Sequence, residues 1–171
     1  MPDNLSVNNL KANLTNPQRV YMWNVIVPNP VGGGDSDVLT LRAQSTEIPG
    51  RSVGQIPVPY KQSAGLRFHG KLTYSHTWDV TFVEGEDRRV FDTIYAWNQN
   101  IVHDVANVGA GDIAIKADVI LQLITTKGEE SMQIKLIGAF PMAVGDVALS
   151  YESEAIVNYA VTWSFDSWVR V

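Results

Sequence analysis

From Ala155 to Asp166 the chain alternates without a break: Ala155, Val157, Tyr159, Val161, Trp163 and Phe165 fill every second position, with Ile156, Asn158, Ala160, Thr162, Ser164 and Asp166 between them. A period of two puts one set on each face of an extended strand, which a helix cannot do. The same period recurs at Tyr21, Trp23, Val25 and Val27 before Pro28-Asn29-Pro30, at Tyr74, His76, Trp78, Val80 and Phe82, and at Ile115, Ala117, Val119, Leu121 and Leu123. Lys127-Gly128-Glu129 reads as the turn from that last run into Met132, Ile134 and Leu136. Val38-Leu39-Thr40-Leu41, beyond the Gly32-Gly33-Gly34-Asp35 tip, reads as a short strand paired with the first.

One segment keeps a different period. Val90, Ile94, Trp97 and Ile101 are spaced four, three and four apart, which predicts a helix over 86–101, with Glu86 and Asp87 in the first turn where the macrodipole favours acids. The expected fold is mainly β: an antiparallel β-barrel or sandwich of about seven or eight strands with one covering α-helix. Residues 1–18 are polar and Asn-rich and read as an N-terminal arm, which leaves 19–171 as a single β-barrel domain, an ordinary size for one core.

Residues 44–70 fit neither period. Pro49, Pro57 and Pro59 withhold backbone donors and favour extended neighbours, so a long extended loop is expected there. Ile48, Val53, Ile56, Val58, Tyr60, Leu66 and Phe68 argue against simple disorder, because such groups gain by docking on something.

Composition closes several functional classes. The 13 Lys and Arg against 18 Asp and Glu give a formal charge of −5, which opposes binding by phosphate neutralisation. With no cysteine there is no disulfide framework, no thiolate metal site and no thiol nucleophile. The N-terminal sequence has no basic start followed by an apolar run, and no stretch approaches a membrane-spanning length, so no membrane anchoring is expected.

No residue set reads as a catalytic centre. His69, His76 and His103 share no ligand spacing, no serine sits in a Gly-x-Ser-x-Gly elbow, and neither glycine cluster is followed by the Lys-Ser or Lys-Thr of a phosphate loop. Glu129-Glu130 and the Glu152, Glu154 pair read as solvated turn residues. Of the five tryptophans, Trp23, Trp78, Trp97, Trp163 and Trp168, four fall on predicted apolar faces or strand ends, so core packing explains most of them, and they lack the flanking cations of a base-stacking platform. The expectation is no catalytic residue, no metal and no cofactor.

The order of the motifs resembles the tail tube proteins of contractile-tailed bacteriophages. The likeness runs from Asn16-Pro17-Gln18-Arg19 leading into Val20–Val27, through Glu47-Ile48-Pro49-Gly50-Arg51-Ser52 and Tyr60, to Trp78-Asp79-Val80-Thr81-Phe82 and the helix ending near Trp97. It closes with Gly138-Ala139-Phe140-Pro141, Val144-Gly145-Asp146 and Phe165-Asp166-Ser167-Trp168. The resemblance spans about 16–168 and rests on motif order. The arm and the Gly32–Gly34 tip match nothing in it.

What the resemblance implies is a structural virion protein of the phage tail, not an enzyme, assembled in the host cytoplasm. Its subunits would form homohexameric rings stacked into a hollow tube, inside a tail sheath protein and between baseplate and tail terminator proteins, with phage DNA passing through the lumen without specific binding. In that setting Pro49, Gly50, Arg51, Val53, Ile56, Pro57, Pro59, Tyr60 and Lys61 would make the contact between subunits or stacked rings. Asp79 and Asp118 would contribute to a negative lumen. A baseplate initiator ring, a terminator ring, and a monomeric ligand-binding β-barrel stay open as alternatives.

Overall fold

Alternation becomes a seven-stranded antiparallel sheet in the computed structural model, which describes residues 7–14, 16–28, 30–31, 33–60, 63–103, 109, 111, 113–152 and 154–171. In chain order the elements are α1 (Val7–Asn13), β1 (Trp23–Ile26), α2 (Ser36–Arg42), β2 (Ala43–Thr46), β3 (Arg51–Tyr60), β4 (Ser63–Tyr74) and β5 (Thr77–Val83). There follow α3 (Arg89–Ile101), β6 (Ala117–Ile124), β7 (Glu130–Val144), β8 (Asn158–Ser164) and β9 (Ser167–Arg170). The main sheet runs β1-β6-β7-β8-β5-β2, with β9 also paired to β7, while among the described residues β3 and β4 pair only with each other.

The inward residues of each alternating run form the core: Trp78, Val80 and Phe82 of β5, Val119 and Leu121 of β6, Ile134 and Leu136 of β7, and Val161 and Trp163 of β8. α3 covers them with Val90, Ile94 and Trp97, and α2 adds Val38 and Leu39. The Trp97 indole packs edge-on to Trp163, with ring centroids 5.4 Å apart, and its Nε1–H donates to the Ile115 carbonyl at 2.7 Å. A buried indole needs such a partner, and the bond ties Ile115, just ahead of β6, to α3.

β7 joins the two halves of the sheet. Its first half has β6 on one side and β9 on the other, and its second half has β8 where β9 was. The changeover falls at Gly138, whose φ of +66° suits glycine and whose added Cβ would collide with Asp166 Oδ2. Beside it Lys116 Nζ reaches both oxygens of Asp166 at 2.8 Å.

Several expectations are corrected. Val38–Leu41 is helix, not strand: Asp35 caps α2 by accepting the Asp37 N–H at 3.1 Å, and Thr40 folds its hydroxyl onto the Ser36 carbonyl. The described residues therefore hold three helices rather than one, and α1 lies within the expected arm. α3 starts at Arg89, because Arg88 is left-handed (φ 53°) and ends the preceding turn. The run 74–82 is cut at His76, also left-handed (φ 57°), and the run 155–166 yields only β8, the chain turning at Phe165-Asp166 into β9. The mainly β, antiparallel architecture is as expected; the strand count among the described residues is nine, and no β1–β2 pairing that would close a barrel is seen among them. The loop expected over 44–70 is β2 followed by a long β3–β4 hairpin. The prolines of β3 are compatible with this because the hairpin has two edges and no interior strand.

Candidate assembly surface

The hairpin is the element least explained by the core. Two strands alone are marginal in water, yet β3 runs for 10 residues and β4 for 12, with every residue of β3 exposed. Cross-strand pairing puts Ile56 opposite Phe68 and Val58 opposite Leu66, which share one face. Gln55 opposite His69 and Pro57 opposite Arg67 form the other, where Arg67 donates to Gln55 Oε1 at 2.7 Å. The apolar face is thus an uncovered stripe, with Ile56 and Phe68 both 54% exposed and Leu66 62%.

The stem is fixed to the body. Trp78 Nε1 donates to the Glu47 carbonyl at 2.7 Å, Pro49 is buried, and the first hairpin pair, Arg51 and Tyr74, closes on Trp168 from two sides. The Arg51 guanidinium stands 5.5 Å from the indole centroid, and the Tyr74 ring meets it edge-on at 6.1 Å. Further out, Gly54 and Gly70 let the two backbones come so close that a Cβ on Gly70 would lie 2.9 Å from the Gly54 carbonyl carbon. Pro57 and Pro59 each remove one backbone donor from β3, whereas β4 has no proline between Ser63 and Tyr74 and keeps all of its donors.

Of the expected contact residues, Pro49 is a buried anchor; Gly50, Arg51, Val53, Ile56, Pro57, Pro59 and Tyr60 are exposed on the root and β3. Lys61 lies outside the described residues, as do Gly32 and residues 1–6. The expected contact set stopped at Lys61, although Leu66 and Phe68 stood among the apolar groups expected to dock; in the structure Leu66, Arg67, Phe68 and Leu72 of β4 are exposed beside β3. A further signal in the sequence is an absence, since no Asp or Glu occurs from residue 51 to 74 while Arg51, Lys61, Arg67 and Lys71 do.

Asp79 and Asp118 both sit on the sheet face turned away from the core, alternating with Trp78 and Val80 and with Val119. They are not brought together, because β7 and β8 lie between their strands. Asp79 is exposed and accepts the Thr162 hydroxyl. Asp118 meets Lys135 Nζ at 2.8 Å and accepts the Gly138 N–H at 3.2 Å, and its carboxyl is held below the ordinary range chiefly by the Lys135 hydrogen bond, against a smaller desolvation effect.

A second exposed apolar feature lies between α3 and the sheet: a groove of about 160 Å³ lined by Val90, Phe91, Ile94, Tyr95, Tyr159 and Val161, among others. Phe91 stacks on Tyr95 at 5.7 Å and leans on Tyr159 at 5.6 Å. Among the described residues no group of three or more His, Asp or Glu is placed to hold a metal, and no helix is long and apolar enough to cross a membrane.

Residues 8–171 match the family model described as phage tail tube protein. No curated protein sequence matches the chain. Among solved structures, the tube-terminating cap of the anti-feeding prophage superposes with a TM-score of 0.67 at 14% identity, over 91% of each chain. The sheath/tube terminator of an extracellular contractile injection system (PVC) gives 0.67 at 19% identity, over 91% of this chain and 96% of that one. A chain of the sheath-tube complex of that system gives 0.65 at 18% identity, over 97% of both. At these identities the three structures establish a shared fold.

Proposed function

The chain belongs to the phage tail tube protein family, and from that premise we propose that it builds the tube by stacking homohexameric rings through the β3–β4 hairpin. Its role is structural and its place is the virion tail. The observation that carries the stacking reading is the hairpin itself: a two-stranded arm with a bare apolar stripe and a stem clamped on Trp168 is built to be covered by another molecule. A ring that repeats along an axis supplies that cover for every copy, because a head-to-tail contact that does not close on itself propagates. The contact residues are Gly50, Arg51, Val53, Ile56, Pro57, Pro59, Tyr60 and Lys61, with Pro49 as the anchor and Leu66 and Phe68 added from β4.

Assembly with tube, sheath and baseplate components fits both the family and the fold neighbours, which include tube and terminator chains of sheath-bearing machines. Subunits would assemble in the host cytoplasm and meet the sheath and terminator there. The polar face of the main sheet is the proposed lumenal wall, along which DNA passes without specific contacts. Asp79 contributes negative charge to that wall, and Asp118, neutralised by Lys135, contributes polarity only.

Negative-stain electron microscopy over a protein concentration series, with solution mass, tests this. Rings near six subunits, about 113 kDa from the 18.9 kDa chain, that lengthen into hollow tubes are the expected result. A monomer at every concentration, or rings that never stack, would contradict it.

A further inference from the structure

The hairpin's charge names the surface that receives it. From residue 51 to 74 the chain carries four Lys and Arg and no acid, in a protein whose net charge is −5; without those four, nine Lys and Arg face all 18 Asp and Glu. None of the described hairpin cations, Arg51, Arg67 and Lys71, is in an ion pair with a described residue. The arm is therefore cationic and apolar at once, and its complement is an acidic surface with its own exposed apolar groups.

The segment between β7 and β8 has that composition. It carries Asp146, Glu152 and Glu154, with Leu149 at 83% exposure, Ile156 at 71%, and Tyr151 fully exposed. The Glu84 N–H bonds the Val157 carbonyl at 2.9 Å, which brings the β5–α3 turn and its exposed Glu86 alongside. Nearby Arg42 is committed to Glu84 and Asp87, and Arg89 to Asp35, so among the charges with no ion pair to a described residue Glu86, Asp146, Glu152 and Glu154 outnumber Arg88 here.

The two surfaces lie at opposite ends of one ladder. β5 pairs with β8 from Thr77 opposite Ser164 to Val83 opposite Asn158. The hairpin joins the ladder at Thr77 and the acidic segment joins it at Asn158, about 20 Å away at about 3.4 Å per residue. At the hairpin end Asp166 is already held by Lys116. Complementary surfaces at opposite ends of a subunit are what a head-to-tail contact between copies requires.

We propose that the cationic, apolar β3–β4 hairpin of one copy docks on the acidic, apolar 145–157 segment of a copy in the next ring, so that stacking is selected by charge. The proposal rests on the stacking reading above and adds its acceptor. Opposite charge steers the encounter and fixes polarity, since hairpin against hairpin or segment against segment would set like charges together. The apolar groups of both sides then supply the burial.

The test is a charge exchange in the full-length protein. One variant carries Arg67→Glu and Lys71→Glu, the other Glu152→Lys and Glu154→Lys, with circular dichroism and ring formation checked for each. Each variant alone should give folded rings and at least a tenfold loss in tube length by negative stain. Mixing the two should restore tubes, because each hairpin then meets an opposite segment, and the fourfold variant should polymerise unaided. Wild-type tubes should shorten between about 0.01 M and 1 M NaCl, as the screening length falls from about 30 Å to about 3 Å. Normal tubes from the Glu152, Glu154 variant alone, or no rescue in the mixture while each variant forms rings, would overturn the acceptor and leave the stacking reading standing. A wild-type chain that never stacks would overturn both.

Discussion

The buried carboxylate of Glu84 accepts the Phe91 backbone N–H at 2.7 Å, so the helix that covers the core is capped by the residue that follows β5. Its N-cap residue, Arg88, offers no side-chain bond. Glu84 fills the gap, taking also the Gly85 N–H at 2.9 Å, the Val90 N–H at 3.4 Å and the Arg42 guanidinium at 3.1 Å. Removing it orphans helix donors and takes one acid from Arg42. Glu84→Ala should cost about 2 kcal/mol in urea unfolding, and Glu84→Gln, which keeps acceptor oxygen, about half of that. Equal, negligible losses would show that α3 is held by its apolar face alone.

Gly138 sets the changeover in β7, and its substitution carries two penalties. A side chain at φ +66° is strained, and a Cβ would press on the Asp166 carboxylate, against the Lys116 pair. Gly138→Ala should lower stability by about 1–3 kcal/mol, while Gly128→Ala, also at positive φ but with open space around it, should cost only the backbone part. Thermal unfolding of the two variants side by side measures the difference.

The hairpin can be removed where its own pairing allows. Arg51 and Tyr74 are cross-strand partners, so an Asn-Gly turn joining them replaces the arm and keeps the stem on Trp168. The shortened chain should fold with unchanged near-ultraviolet dichroism and form no tubes. Tubes of normal length from this variant, or from the simpler deletion of 50–62, would remove the hairpin from stacking.

How much of this was legible in the sequence follows from the range of the interactions. The core faces of β5, β6 and β8 were, because alternation is local and survives folding, as was the α3 stripe from Val90 to Trp97. α2 was not: Val38 and Leu39 are adjacent and Leu41 is exposed, so the helix rests on the Asp35 cap and on burial that only the tertiary fold supplies. His76 could not be read as a break, since its left-handed backbone is held by distant groups, with its Nδ1 beside the Phe165 carbonyl at 3.1 Å and its own carbonyl accepting the Phe165 N–H. On β4, Leu66 and Phe68 were legible as apolar groups in need of a cover, but their place beside Val58 and Ile56 was not, because the pairing of β4 with β3 is a matter of register.

The ion pair of Asp118 with Lys135 predicts a pH response. Since the Asp118 carboxyl is held below its ordinary 3.8, the folded state favours the charged form. That contribution is complete above the ordinary value and is lost as pH falls through the lower folded one. Asp118→Asn should therefore be less stable than wild type near neutrality, with the gap closing in strong acid. Unfolding curves for both proteins from about pH 7 to about pH 2 check it, and a gap independent of pH would exclude the ion pair as its source.

With the hairpin leaving one end of the β5–β8 ladder and the acidic segment leaving the other, tension along a stack of subunits would enter and exit lengthwise through those strands. Ladder hydrogen bonds lie across the strand direction, so such a load strains all seven residue pairs together instead of unzipping them in turn. On the stacking proposal, a tube pushed or pulled to failure should therefore part between rings while its subunits stay folded.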